Sequence, residues 1–145
     1  MKLLEIKQTI EENQEFSSNP ACQEILEMTV SHYKKVGYVP PWIGYFAVKG
    51  NQIVGSAGFK GPPSEGKVEI AYGTVEEFRH QGIGTEICEL LRELSLRTDP
   101  TLEITARTLP ERNHSVRILE KNGFKLLGTV MDKEDGEVWE WKFQD

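Results

Sequence analysis

Arg79-His80-Gln81-Gly82-Ile83-Gly84-Thr85 lies between two predicted elements, a strand and a helix, and decides the fold. Apolar residues alternate in the preceding strand, Lys67–Val75. The helix that follows has one apolar face, formed at i, i+3, i+4 and i+7 by Ile87, Leu90, Leu91 and Leu94. A helix start offers unpaired N–H groups and a positive dipole end, and glycines there let the backbone approach an anion. The stretch therefore predicts a phosphate or pyrophosphate site.

Two common nucleotide motifs do not fit this loop. A dinucleotide-binding fingerprint needs a third glycine where Ile87 stands, and it follows the first strand of a parallel sheet. A P-loop needs Gly-Lys-Ser/Thr after four intervening residues, and the chain has none. The phosphate ligand is therefore not predicted to be a nucleotide bound in either of these ways.

The N-terminal half predicts one helix and an antiparallel meander. Its expected elements are a strand at Leu3–Lys7, a weak helix and loop at Gln8–Ser18, a helix from Asn19-Pro20 to Gly37 with Ile25, Met28, Thr29 and Tyr33 on one face, and strands Ile43–Lys49 and Gln52–Lys60. Asparagine before proline is a strong helix start, and Gly50-Asn51 between the two apolar runs is typical of a tight hairpin.

The C-terminal half predicts one parallel crossover and a second hairpin. Its expected elements are a strand at Leu102–Thr108, a short helix at about Asn113–Asn122, and strands Phe124–Val130 and Val138–Phe143 around Asp135-Gly136. Strand, helix and strand with short connections imply a parallel pair with a right-handed crossover. The predicted class is α/β (α+β): one mixed, mostly antiparallel sheet flanked by helices.

Composition limits the class of protein. The chain has 145 residues, enough for a single domain spanning 1–145, and its 38% hydrophobic and 28% charged residues are typical of a soluble protein. It has neither a membrane-length apolar run nor a signal peptide, so we expect a cytoplasmic protein. The net charge of −6 argues against nucleic acid as a partner. Cys22 and Cys88 fit neither a disulfide framework nor a metal site, and Cys88 is expected to be a small buried hydrophobe.

Two segments together resemble the GNAT superfamily of acyl-CoA N-acyltransferases. Arg79-x-x-Gly82-x-Gly84 resembles the family's Gln/Arg-x-x-Gly-x-Gly/Ala signature, and it lies between a strand and a helix as the family places it. Asn113–Phe124 resembles the second signature, which ends in Glu-Lys-x-Gly-Phe. Its spelling is nearest to the branch that includes ribosomal-protein N-terminal acetyltransferases. The resemblance is strong over about Val68–Phe124 and only topological before it.

The resemblance implies acetyl-CoA as co-substrate and assigns its contacts. The residues implied in cofactor binding are Thr74, Val75, Arg79, His80, Gln81, Gly82, Ile83, Gly84, Thr85, Asn113 and Ser115. The amides of Gln81–Thr85 would hold the pyrophosphate, and Thr74 and Val75 would pair with the pantetheine arm. The Val75 N–H would stabilise the oxyanion. A splay between strands Lys67–Val75 and Leu102–Thr108 would open the slot for the thioester.

Amine acetylation needs a neutral nucleophile, because an ammonium has no lone pair. Glu69, on the cofactor strand, is the first candidate base, although an exposed structural glutamate is an equal alternative, and Glu103 is weaker. Many family members have a tyrosine acid where this chain has Leu119. Ser115 or water is then expected at the sulfur. The aromatic residues Tyr38, Trp42 and Tyr45 are expected either to line the acceptor site or to pack ordinarily.

The leading functional hypothesis is an acetyl-CoA-dependent N-acetyltransferase that acts on an amine-bearing small molecule or a protein N-terminus. The alternative is a catalytically weak acyl-CoA-binding sensor or interaction module with the same fold, and a nucleotide-binding module is a third possibility. The sequence does not name the acceptor, and monomer and homodimer both stay open.

Overall fold

A computed structural model describes residues 1–144 of the chain. The model has one seven-stranded mixed sheet, in the order β1-β2-β3-β4-β5-β7-β6. The strands are β1 (Lys2–Glu5), β2 (Gly44–Lys49), β3 (Gln52–Phe59), β4 (Lys67–Thr74), β5 (Glu103–Thr108), β6 (Phe124–Asp132) and β7 (Gly136–Phe143). The helices are α1 (Pro20–Val36), α2 (Ile83–Thr98) and α3 (His114–Lys121). The β4–β5 pair is parallel and every other pair is antiparallel, so the predicted fold class is confirmed.

The N-terminal segment differs from the predicted structure because the Asn13 side chain forms hydrogen bonds with its backbone. β1 ends at Glu5 rather than Lys7, and a 3-10 helix spans Glu11–Phe16. The buried Asn13 side chain accepts from the Lys7 N–H at 2.8 Å and donates to the carbonyls of Lys7 and Thr9. These bonds take the Lys7 backbone out of the sheet and satisfy a buried amide that would otherwise be costly.

Helix α1 begins and ends where its sequence predicts. Asn19 accepts from the N–H of Ala21 at 3.0 Å, Pro20 is the first helical residue, and Gly37 ends the helix with φ +93°. The predicted apolar face was right for the buried Tyr33 and the partly buried Ile25 but wrong for Met28, which is 66% exposed. The buried face consists of Cys22, Leu26, Val30 and Tyr33.

The Tyr33 hydroxyl fixes α1 to the sheet. It donates to the Ile6 carbonyl at 2.7 Å and accepts from the Gly44 N–H at 2.9 Å. These two bonds tie α1 to the segment just after β1 and to the start of β2.

Helix α2 packs against β3 and β4 with a face rotated slightly from the predicted one. The residues buried along it are Ile83, Gly84, Ile87, Cys88, Leu91 and Ser95. Leu90 and Leu94 lie at the border of this face and are only partly buried. The prediction that Cys88 is a small buried hydrophobe is confirmed, because its exposure is 0%.

The C-terminal hairpin is longer than predicted and completes the core. β6 and β7 pair from Phe124↔Phe143 to Asp132↔Gly136, beyond the expected end at Val130. Trp141 is 1% exposed, and its indole N–H donates to the Thr108 hydroxyl at 3.0 Å. Trp139, two residues earlier on the same strand, is only partly buried.

Candidate functional site

A gap opens in the middle of the sheet, between β4 and β5. Within the described residues the two strands pair at three positions, Lys67↔Glu103, Val68↔Ile104 and Glu69↔Thr105. Beyond these positions β4 stays paired with β3 as far as Thr74, and β5 stays paired with β7 as far as Thr108. The separation confirms the expected splay, and it leaves backbone groups of both strands facing an open slot.

A cavity of about 360 Å³ lies where this slot meets the starts of α2 and α3. Ligand pockets commonly begin at about 300 Å³, so the cavity can hold part of a cofactor-sized molecule. Its walls are Tyr72, Gly73, Thr74, Phe78, Arg79, His80, Gly82, Ile83, Gly84, His114, Ser115 and Ile118. We call it the donor cavity. Among residues 1–144, its ionisable lining residues are Arg79, two histidines and a tyrosine, with no carboxylate, so it suits an anion.

The start of α2 leaves its amides available in this cavity. Gly82 is the N-cap in a left-handed conformation, φ +78°, and no side chain caps this end. The first intrahelical bond there is from the Glu86 N–H to the Gly82 carbonyl, so the amides of Ile83, Gly84 and Thr85 lack an intrahelical partner. A β-carbon on Gly82 would meet nothing within 4 Å. This is the geometry of an anion cradle.

The two glycines of the signature, Gly82 and Gly84, are needed for different physical reasons. A β-carbon on Gly84 would lie 2.6 Å from Cδ1 of Ile118, so Gly84 permits the close approach of α2 and α3. His80 also has a positive φ, +65°, and its ring centroid lies 5.7 Å from that of His114. The absence of a side chain at Gly82 therefore leaves space beside the free amides, and its absence at Gly84 lets the start of α2 pack against Ile118 of α3.

Several predicted cofactor residues line the donor cavity and others do not. Thr74, Arg79, His80, Gly82, Ile83, Gly84 and Ser115 line it, whereas Val75, Gln81, Thr85 and Asn113 are not among the lining residues. The Asn113 side chain instead accepts from the Val116 N–H at 3.2 Å and caps α3. Sequence reasoning missed Tyr72, Gly73, Phe78, His114 and Ile118. Two patterns could have suggested some of them. Tyr72 and Thr74 lie two positions apart on β4, and His114 and Ile118 lie four positions apart on α3.

The oxyanion assignment to Val75 was wrong. Its N–H donates to the Val54 carbonyl at 2.8 Å, and the Lys60 N–H donates to the Glu69 carbonyl at 2.8 Å. Backbone groups bonded to one neighbour alternate along an antiparallel strand. Both bonds put the odd-numbered residues of β4 on the β3 side. The N–H groups of Tyr72 and Thr74 therefore point into the gap.

A second cavity of about 140 Å³ lies between β4, β5 and α3. Its walls are Lys60, Ile70, Ala71, Tyr72, Ala106, Arg107, Thr108, Ser115 and Leu119. We call it the acceptor cavity. Tyr72 and Ser115 line both cavities, so a group bound in one lies beside the other at these two residues. The two cavities are therefore neighbours at the gap between β4 and β5.

An ion-pair cluster borders the acceptor cavity. Arg107 lies 2.9 Å from Asp132, 3.2 Å from Glu140 and 3.9 Å from Glu69. Glu69 in turn lies 2.9 Å from Lys60. Backbone N–H donors, chiefly that of Glu134, and the Arg107 guanidinium lower the pKa of Asp132 to about 2. The hydrogen bond from Arg107 to Asp132 is the main cause that raises the pKa of the guanidinium.

The two candidate bases are both ion-paired. Glu69 lies at the last paired position before the gap, although it does not line either cavity. Glu103 is bonded to Lys142 at 3.1 Å, at the closed end of the β4–β5 pair. Glu69 is therefore nearer to the chemistry than Glu103.

Neither cysteine has the properties of a nucleophile. Burial raises the pKa of the Cys88 thiol to about 12 and also raises that of Cys22. Both stay protonated at neutral pH, and a thiolate is the reactive form. The site therefore favours direct transfer between two substrates over an acyl-cysteine intermediate.

The aromatic trio does not line the acceptor cavity, so the substrate-binding prediction for Tyr38, Trp42 and Tyr45 needs correction. Trp42 is 9% exposed and packs edge-on against Phe59, and Tyr45 is 5% exposed. Tyr38 packs edge-on against Tyr33. These residues belong to ordinary packing, which was the other expectation for them.

The absence of the usual tyrosine at Leu119 leaves an apolar wall. Leu119 is 1% exposed and lines the acceptor cavity. Ser115, one turn earlier on α3, lines both cavities. No group of three or more potential metal ligands occurs among residues 1–144. Across the same residues, no helix has both the length and the apolar character needed to cross a membrane.

Comparison with known proteins decides the family. The family model described as "Acetyltransferase (GNAT) domain" matches residues 6–125. The chain belongs to the GNAT acetyltransferase family. The expected resemblance is thus confirmed, and the matched span includes both signatures.

Relatives of this GNAT protein support the same fold. An uncharacterized N-acetyltransferase, YjdG of Bacillus subtilis (strain 168), is 32% identical over 91 residues, which are 62% of this chain and 51% of the relative. The match thus spans about half of the relative's length. A ribosomal L7/L12 α-N-protein acetyltransferase matches with a TM-score of 0.69 at 15% identity, covering 97% of this chain and 90% of the other. An aminoglycoside acetyltransferase, AAC(6')-Ib, in complex with coenzyme A matches with a TM-score of 0.67 at 17% identity, covering 99% and 95%.

Proposed function

We propose that this protein transfers the acetyl group of acetyl-CoA directly to a primary amine. The observation that carries the proposal is that Tyr72 and Ser115 line both cavities beside the β4–β5 gap, with uncapped α2 amides in the donor cavity. Family membership supports acetyl-CoA as the co-substrate. The structural relatives named above are acetyltransferases of a ribosomal protein and of aminoglycosides, so the fold serves different amine acceptors.

The donor cavity accounts for binding of the cofactor. The free amides at Ile83, Gly84 and Thr85, together with Arg79, would hold the pyrophosphate. The pantetheine arm would then run along the free edge of β4 and pair with the Thr74 backbone. The Tyr72 N–H would donate to the thioester carbonyl and stabilise the oxyanion as the tetrahedral intermediate forms.

Proton transfer is proposed to use Ser115 and Glu69. Glu69 takes a proton from the incoming ammonium, directly or through water, and the neutral amine nitrogen then attacks the thioester carbon. The carbon–sulfur bond breaks, and the proton that the nitrogen loses on becoming an amide passes through Ser115 or water to the departing thiolate. Glu69 lies at the last paired position before the gap, 2.9 Å from Lys60.

Thermal shift and thiol release together test the proposal. Acetyl-CoA at one hundred times its Kd should stabilise the protein by about 2.7 kcal/mol, and NAD or ATP at the same concentration should not. Thiol release in an amine panel should then show turnover. The absence of a shift with acetyl-CoA would refute the donor site.

A catalytically weak acyl-CoA sensor is the second candidate, because Leu119 replaces the usual tyrosine acid. It predicts the same stabilisation by acetyl-CoA with no thiol release above the rate of hydrolysis. Measured release with any amine removes it.

A further inference from the structure

The acceptor cavity has cationic walls. Of its nine lining residues, Lys60 and Arg107 are charged, and both are positive. We propose that the acceptor is a small amine that carries a carboxylate close to its amino group, as an α-amino acid does. Lys60 and Arg107 bind this carboxylate. The inference rests on the proposed acetyl transfer and names its acceptor class.

The cations have hydrogen-bond donors to spare. The Arg107 guanidinium has five N–H donors, of which Nε and one on Nη2 bond to Glu140 and one on Nη1 bonds to Asp132. Two N–H groups remain. Lys60 has three donors and contacts one carboxylate, Glu69. A carboxylate bound between them would receive charge-assisted hydrogen bonds from both.

The neighbouring carboxylates hold Arg107 in place and are poor sites for an ammonium. Oδ1 of Asp132 accepts from the N–H groups of Glu134 and Asp135, and Oδ2 accepts from Arg107. Oε2 of Glu140 accepts two bonds from Arg107. None of Glu69, Asp132 and Glu140 lines the cavity. The cluster has three carboxylates and two cations, yet its positive groups are the ones that meet the acceptor.

The size of the cavity fits a small acceptor. Its volume of about 140 Å³ equals the space of roughly four to five water molecules at ~30 Å³ each. Apolar walls from Ile70, Ala71, Ala106 and Leu119 leave room for a short side chain. With the carboxylate at Lys60 and Arg107, the amine would lie near Tyr72 and Ser115, where the two cavities meet.

Matched pairs of amines test the acceptor class. We would measure kcat/KM with acetyl-CoA for L-alanine, L-serine and L-methionine, for the carboxamide of each, and for spermidine. At least one free acid should exceed its amide by about tenfold or more, the value of one charge-assisted hydrogen bond. The amine of the amide is less basic than that of the free acid, so a larger fraction of it is neutral at pH 7. This difference favours the amide, which makes the test stringent.

The outcomes separate this inference from the proposed function. Turnover of amides or spermidine equal to or faster than that of every free acid overturns the acceptor class and leaves acetyl transfer intact. No turnover with any amine, despite acetyl-CoA binding, overturns acetyl transfer and the acceptor class together.

Variants of Lys60 locate the carboxylate. Lys60→Gln should raise KM for the preferred acid by about tenfold or more. It should leave KM for the matching amide and the Kd for acetyl-CoA unchanged, and Lys60→Arg should restore the acid preference. Lys142→Gln is the matched control, because Lys142 pairs with Glu103 at 3.1 Å and does not line the cavity. Equal acid KM values for Lys60→Gln and Lys142→Gln would overturn the assignment.

Discussion

Replacement of Gly82 by alanine separates cofactor binding from backbone strain. Gly82 has φ +78°, where an alanine costs about 1–2 kcal/mol. For a domain of this size that cost lowers Tm by about 2–8 °C. The new methyl group would project into the open space of the cradle, which Gly82 lines. The pyrophosphate would then lose one or two charge-assisted hydrogen bonds, so the Kd for coenzyme A should rise about 10- to 150-fold.

Gly66→Ala is the matched control for this change. Gly66 has φ +77°, and a β-carbon there also meets nothing within 4 Å. It lies in the turn before β4 and does not line either cavity. Isothermal titration with coenzyme A should show a normal Kd for this variant, while both variants lose similar Tm without ligand. The same Kd for the two folded variants would refute the placement of the pyrophosphate at Gly82.

Three further substitutions test other parts of the molecule. Ser115→Ala should lower kcat by about tenfold or more and leave the Kd for acetyl-CoA unchanged, because it removes one hydroxyl from the junction of the cavities; an unchanged kcat would exclude Ser115 from proton transfer. Tyr33→Phe should lower the free energy of unfolding by about 1–3 kcal/mol in urea titration, since the buried Gly44 N–H and Ile6 carbonyl lose their partner; an unchanged midpoint would show that these bonds contribute nothing. Asp132→Asn should make the stability of the fold fall less steeply as the pH is lowered in the acidic range. The folded pKa of about 2 lies below the ordinary 3.8, so the Asp132 contribution is present above pH ~4 and is lost as pH falls towards 2; an unchanged slope of Tm against pH in this range would contradict it.

Local signals in the sequence predicted most of the elements correctly. Asn19-Pro20 and Gly37 gave the ends of α1, and Gly50-Asn51 gave the β2–β3 hairpin, because cap and turn residues act within a few positions of the chain. The rotation of α1 could not be predicted in the same way. It depends on contacts with residues distant in sequence, among them the bonds of Tyr33 to Ile6 and Gly44.

The candidate site divides in the same manner. The cradle at Gly82 was predictable, because a glycine at a helix start has a local physical reason. The acceptor cavity was not, since Lys60 directly follows β3 and Arg107 lies in β5, and only the pairing of the strands brings them to one opening. The aromatic residues Trp42 and Tyr45 misled the prediction, because composition alone does not separate a buried aromatic from one that lines a site.

The change from Val75 to Tyr72 shows what limits a mechanistic prediction from sequence. Alternation along β4 is readable in the sequence, and it divides the strand's amides into two sets. Which set faces the gap depends on the register with β3, where the Val75 N–H bonds to Val54. A shift of one residue would exchange the sets and move the oxyanion donor to the opposite side of the strand. The turn that joins β3 to β4 therefore contributes to the chemistry without touching a substrate, because it fixes the register that leaves the Tyr72 N–H free.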